Sequence, residues 1–246
     1  MPLSVIAIGL SLLGGLGGLA VAGLFLLFPS SQRTRFVPWL VSYAVGVMLG
    51  VTLLAILPQA VELLPPVQVF GTLLVGILLF FMLEKLVVWR HCHTHECEVH
   101  EQAATMVLIG DAFHNFVDGA LIGAAVLTSV PLGISTAIAV AAHEIPQEVG
   151  DFAILLHSGY SRTKALLLNA LSGLASTLGA LVTVFALPLV PALVPYALSL
   201  AAASFLYVSM ADLIPGLHRT TTDSSAVRQV ALVGLGVLTI LLLGHA

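Results

Sequence analysis

Two short stretches of this chain hold side chains capable of coordination chemistry. One reads Asp111-Ala112-Phe113-His114-Asn115-Phe116-Val117-Asp118-Gly119, the other His143-Glu144-Ile145-Pro146-Gln147-Glu148-Val149-Gly150-Asp151. Residues four apart in a helix lie one above the other on the same face. His114 and Asp118 form one such row, Glu144 and Glu148 a second, and His143 and Gln147 a third beside it. Asn115 adjoins His114, and Asp111 lies one turn away. Two helices turning these faces toward each other would gather imidazole nitrogen and carboxylate oxygen around one point. That donor mixture suits zinc and its first-row neighbours, whereas magnesium and calcium prefer oxygen alone.

The elements that must carry these residues are apolar. Of the 246 residues, 59% are hydrophobic and 8% charged, too little charge to cover the surface of a soluble domain of this length. The apolar runs are long enough to cross a hydrocarbon layer of roughly 30 Å at 1.5 Å per residue. A soluble enzyme is excluded, and a net charge of −4 without a basic patch argues against a nucleic-acid partner. Breaks at proline and polar residues predict an all-α, polytopic membrane protein of eight spans in a single domain, residues 1–246. The spans run over about 3–28, 38–62, 67–90, 103–128, 132–157, 163–187, 195–216 and 227–244. The two chemical stretches fall in the fourth and fifth. Met1-Pro2-Leu3-Ser4 offers no basic n-region, so the first apolar run reads as a retained helix rather than a cleaved signal.

Charge placement tests this division independently. The 8 basic residues (Arg33, Arg35, Lys85, Arg90, Arg162, Lys164, Arg219 and Arg228) all fall at alternate span ends. Lys/Arg excess marks the cytoplasmic side, so both termini are expected outside, in a plasma or inner membrane. Cys92 and Cys97 are the 2 cysteines and provide no disulfide framework. Gly14-Gly15-Leu16-Gly17-Gly18 in the first span suits close approach of another helix backbone.

Acidic groups in the fourth and fifth spans are costly. A charged side chain at mid-bilayer costs on the order of 2.5–3.5 kcal/mol on insertion scales, so Asp118, Glu144 and Glu148 together cost roughly 8–10 kcal/mol by simple addition. A bound cation can offset that. Pro146 further frees the Ala142 carbonyl from its helical bond, making it a candidate extra ligand or hinge.

His114-Asn115-Phe116-Val117-Asp118 and the run His143–Glu148 followed by Gly150-Asp151 resemble the paired motifs HNxxD and HExPxE…GD of the ZIP (Zrt-, Irt-like) metal transporters. The resemblance implies eight helices, outward termini, pairing as a homodimer, and sliding of one helix group past another. It implies a transport site at His114, Asp118, His143 and Gln147, with Asn115 and Glu144 at positions of an adjoining second site and Met48 as a thioether contact. Glu148 is expected to share in the metal centre. Several family members carry a carboxylate where this chain has Gln147, and an amide bridges two cations less well, so one principal site is expected. Asn169, Ser172 and Asp212 are similar to polar positions of related transporters, Asp212 as a relay or merely a paired group. Asp151 and His157 are candidates for an exit path.

The connection after the third span, about 91–101, sets His91, Cys92, His93, His95 and Cys97 among acidic residues. Alternating His and Cys is a metal-binding composition, while the spacing fits no fixed zinc fold. The expected role is cytoplasmic capture of metal. The reading as a whole is a transporter of divalent transition metal toward the cytoplasm, zinc first and cadmium, iron or manganese after it, with no cofactor and no enzymatic activity. Two alternatives share the ligands. An intramembrane metal-dependent hydrolase would use His143-Glu144 as the start of HExxH, although position 147 is Gln. A non-transporting metal sensor would need no further residues.

Overall fold

The computed structural model describes residues 2–25, 27–91, 99–218 and 223–244, and within them all regular structure is helical. Eight long helices follow one another. They are α1 (Leu3–Phe25), α2 (residues 30–63), α3 (Pro66–His91), α4 (Val99–Thr128), α5 (Val130–His157), α6 (Arg162–Ala186), α7 (residues 194–218) and α8 (Asp223–Gly244). Each predicted span lies on one of them. The chain is an all-α, polytopic membrane protein.

Six of the eight carry windows long and apolar enough to cross a membrane. The other two, α4 and α5, are 30 and 28 residues long and hold the polar centre. The surface shows which solvent the fold is built for. On α6, Leu167, Leu171, Leu174, Leu178, Val182 and Phe185 are exposed, while Asn169, Ser172, Gly173, Ser176 and Gly179 are buried. This is the reverse of a water-soluble amphipathic helix, and it is stable where the solvent is hydrocarbon.

Local sequence fixes the joints. Ser129 alone links α4 to α5, and its hydroxyl accepts the Leu132 N–H at the helix start. So short a link forces the two helices into antiparallel contact. At the other end of α5, Gly159 adopts φ 85°. The Gly159 and Tyr160 N–H groups donate to the Leu156 and Leu155 carbonyls, a left-handed cap that only glycine adopts without strain.

Helices α2 and α7 each contain a wide π-helical stretch, Thr52–Ile56 and Val208–Leu213. Each is followed two residues on by a proline, Pro58 or Pro215. Proline removes the N–H that an α-turn requires. The ladder shifts instead to five-residue spacing, with Leu57 N–H donating to the Thr52 carbonyl and Ile214 N–H to the Ser209 carbonyl. Single π turns inside helices recur at functional sites.

Helices α1, α4, α5 and α6 pack together, and α5 also meets α2 and α8. Helix α2 also packs on α8 and α7, α3 packs on α7, and α7 touches α4. Glycine sets the two tightest crossings. A Cβ at Gly119 of α4 would land on the Ser176 carbonyl of α6, and one at Gly179 on the Phe116 carbonyl. At the α2–α8 crossing, a Cβ at Gly46 would land on the Val233 carbonyl. The predicted role of the α1 glycines holds at Gly15, which backs onto the Gly173 carbonyl, and at Gly18, where an added Cβ would stand 3.0 Å from the Glu144 Cβ.

Candidate metal centre

Helices α4 and α5 turn their polar faces toward each other, and the predicted rows meet. His143 Nε2 lies 3.1 Å from His114 Nε2 and 2.9 Å from Asp118 Oδ2. His114 Nε2 is 3.6 Å from Asp118 Oδ2, and His143 Nε2 is 3.8 Å from Glu144 Oε1. Donor atoms around a tetrahedral ion at 2.0–2.1 Å stand about 3.3 Å apart, which these separations bracket. The four residues can offer one atom each within 4.8 Å of one another.

The tautomer of His143 follows from its neighbour. Nδ1 lies 2.9 Å from the Ala139 carbonyl one turn earlier, which accepts only from a protonated nitrogen. Nε2 is then the ring nitrogen free to ligate, and it faces His114 and Asp118. Such a backbone bond on the far nitrogen is the usual way a ligating imidazole is oriented. His143, Asp118 and Glu144 are buried, and His114 retains 20% side-chain exposure.

A second set adjoins the first. Asp111, Glu144 and Glu148 also bring one oxygen each within 4.8 Å, so Glu144 belongs to both sets. Asp111 Oδ1 accepts from the Asn115 amide at 3.0 Å and from the Gln147 amide at 3.1 Å. Gln147 thus turns its NH₂ toward Asp111. The two sets meet at Glu144 rather than at residue 147, the position whose amide pointed to a single principal site.

Three other helices wall the centre. Gly18 of α1 lets that helix lie against Glu144. The Ser172 and Asn169 side chains of α6 face Asp111 and Glu148. The Phe205 ring of α7 stands edge-on to His143, with centroids 6.0 Å apart. Asp111 was visible in sequence as the residue one turn from His114. Phe205 carried no sequence signal, because a buried aromatic in an apolar span looks like any other.

The burial is chemically costly. Asp118 Oδ1 and both oxygens of Glu144 are buried without a hydrogen-bond partner, and Asp118 Oδ2 meets the His143 and His114 rings. Native interiors satisfy nearly all such atoms, and each exception asks for an explanation.

Other predicted residues are placed as follows. Met48 is fully buried in the apolar core that also holds Ala139 and Val140 of α5. Asp151 is partly buried on α5, beyond Glu148. Cys92, His93, His95 and Cys97 lie outside the described residues, as do the side chains of His91, His157 and Asp212.

A buried His–carboxylate set that could hold a metal ion, set between two helices, defines a class of polytopic membrane protein. A profile of the ZIP zinc transporter family matches residues 89–244. The chain belongs to that family. It is 40% identical over 126 residues to human zinc transporter ZIP6, a stretch covering 51% of this chain and 17% of the relative. To human zinc transporter ZIP4 it is 43% identical over 112 residues, 46% of this chain and 17% of that protein. To human zinc transporter ZIP10 it is 37% identical over 140 residues, 55% of this chain and again 17% of the relative. The chain therefore matches about one sixth of the length of these curated relatives.

Proposed function

We propose that this protein carries a divalent transition metal, zinc first, across the membrane toward the cytoplasm through the α4–α5 centre. The observation that carries this reading is the convergence of His114, Asp118, His143 and Glu144 at separations suited to a tetrahedral ion, in buried surroundings where, among the described residues, no Lys or Arg pairs with the carboxylates. The names of the relatives agree in kind. Mixed nitrogen and oxygen donors favour zinc over harder ions, with cadmium, iron and manganese as secondary cargo.

The alternation of basic span ends supports outward termini and an inner or plasma membrane location. Pairing as a homodimer follows from the family alone. The histidine- and cysteine-bearing connection, with Asp151 and His157, is read as a cytoplasmic capture and exit region. Met48 and Asn115 are read as neighbours that shape the site.

The hydrolase alternative gains no support, since Gln147 stands where HExxH needs its second histidine and its amide donates to Asp111. Zinc uptake into proteoliposomes separates transporter from sensor. The wild-type protein is expected to support flux that His143→Ala and His114→Ala each reduce by about 100-fold or more, as loss of a direct ligand should exceed the 10–100-fold cost of losing a supporting group. Unchanged flux in both variants would reject the site.

A further inference from the structure

The basic-flanked ends of α2 and α8 carry an arrangement with no part in holding metal. Successive spans alternate in direction, so α2 and α8 run the same way, and their close crossing at Gly46 and Val233 sets them side by side. Arg35 and Arg228 each stand in the second turn of their helix. The Arg35 guanidinium carbon lies 5.7 Å from the centre of the Trp39 ring, one turn further along α2. That of Arg228, from α8, lies 4.8 Å from the same ring. The Phe36 ring meets Trp39 edge-on, with centroids 5.0 Å apart, and helps to fix the indole.

Charge makes a second demand. Trp39 is half-buried, both arginines are exposed, and among the described residues neither guanidinium meets a carboxylate. Two like charges over one ring repel, and an anion between them offsets that repulsion. Lys85 over Phe81 and Lys164 over Tyr160 are also cation–ring pairs, but each brings a single cation. Among the described residues only Trp39 gathers two, from two helices. A guanidinium stacked on an indole keeps its N–H edge free, and its planar fork matches phosphate oxygens. Further along α8, Leu235 and Leu242 follow Arg228 at intervals of seven residues, so they share its face, and both are exposed. A molecule seated here meets two cations at one end and an apolar track beyond them.

We propose that Arg35, Arg228 and Trp39 form a binding site for an anionic phospholipid, the two guanidinium groups holding its phosphate and the Leu235–Leu242 face of α8 receiving an acyl chain. Trp39 is a positioning residue, fixing both cations at the headgroup level that tryptophan and arginine favour. A zwitterionic lipid brings its own cation, which the arginines repel, so the site discriminates by headgroup charge. Bound lipid joins α2 to α8 about two turns from Gly46. The site stands apart from the metal centre, so lipid binding and zinc transport are tested separately.

The test is native mass spectrometry of the purified full-length protein in nonionic detergent, titrated with phosphatidylglycerol or with phosphatidylcholine of the same acyl chains. Each arginine near an anionic headgroup is worth about 5-fold in binding, so the wild type is expected to prefer phosphatidylglycerol by about 30-fold. Arg35→Gln and Arg228→Gln should each lower that preference about 5-fold, and the double variant should abolish it. Trp39→Leu keeps every charge yet should lower it by about 2- to 5-fold, while Trp39→Phe, which restores a ring, should largely keep it. If Trp39→Leu does not fold, the two arginine variants, at exposed positions, carry the test. Lys164→Gln removes an exposed cation elsewhere on the same side and should leave the preference unchanged. An equal loss in Lys164→Gln would overturn the proposal, since diffuse attraction to the basic rim would then account for binding. So would equal uptake of the two lipids by the wild type, or displacement of phosphatidylglycerol by inorganic phosphate.

Discussion

The α4–α6 and α2–α8 crossings use the same packing device for different ends. Both depend on glycine, since side chains at Gly119 and Gly179, or at Gly46, would occupy the partner's backbone. Around the α2–α8 crossing one polar pair is satisfied, Tyr43 donating its hydroxyl to Thr239 at 3.2 Å and Thr239 in turn to the Leu235 carbonyl, while Thr52 Oγ1 further along α2 is buried without a partner. Around the α4–α6 crossing such atoms cluster, for Asn115 Oδ1, Asp118 Oδ1 and Ser176 Oγ are all buried without a hydrogen-bond partner. Close backbone approach is therefore a general means of associating helices in lipid. The clustering of unpaired polar atoms is what sets one crossing apart from the other.

The sharpest way to break this contrast is at Asp118, whose Oδ1 is buried without a hydrogen-bond partner and whose Oδ2 faces the two imidazoles. Asp118→Asn is expected to abolish zinc flux, by about 100-fold or more, yet to leave thermal stability in the absence of metal unchanged or raised, because an uncompensated buried charge is removed. A fall in metal-free melting temperature, read by a thermal-shift assay, would place Asp118 in a structural network instead.

Next come the glycines. Gly119→Val and Gly46→Val should each destabilise by roughly 1–3 kcal/mol or more, since the added atoms meet backbone rather than a flexible side chain. Their functional effects should part. The folded fraction of Gly46→Val is expected to transport at the wild-type rate per molecule, while folded Gly119→Val is not, because the α4–α6 spacing sets the centre. Flux normalised to the monodisperse fraction on size exclusion reads the difference, and equal rates would dissolve the distinction between the crossings.

The smallest effect belongs to Tyr43→Phe. Loss of one interhelical hydrogen bond within a membrane protein costs about 0.6 kcal/mol, so a slight drop in unfolding free energy with unaltered zinc flux is the expected result. A flux defect larger than the stability defect would show that the α2–α8 pair takes part in transport.

Much of this protein was legible in its sequence. Prolines, short polar breaks and the alternation of arginine and lysine located every helix to within several residues, because hydrocarbon leaves a chain few ways to satisfy its backbone. The rows His114–Asp118 and Glu144–Glu148 also followed from helical spacing alone. The π turns before Pro58 and Pro215 were not anticipated, since a missing N–H can be resolved by a kink, a break or a widened turn, and packing chooses among them.

What the sequence determined by itself is the inventory: eight helices, a membrane environment, and two polar faces whose burial in lipid is costly. Only the tertiary structure decided the partition of that inventory. It turned Gln147 to Asp111, made Glu144 common to both sets, and brought Asn169, Ser172 and Phe205 from distant helices to the same centre. Spacing along one helix fixes which side chains share a face. How far that face rotates toward its neighbours is set by where backbones can touch, and here glycines on α1, α4 and α6 make that choice.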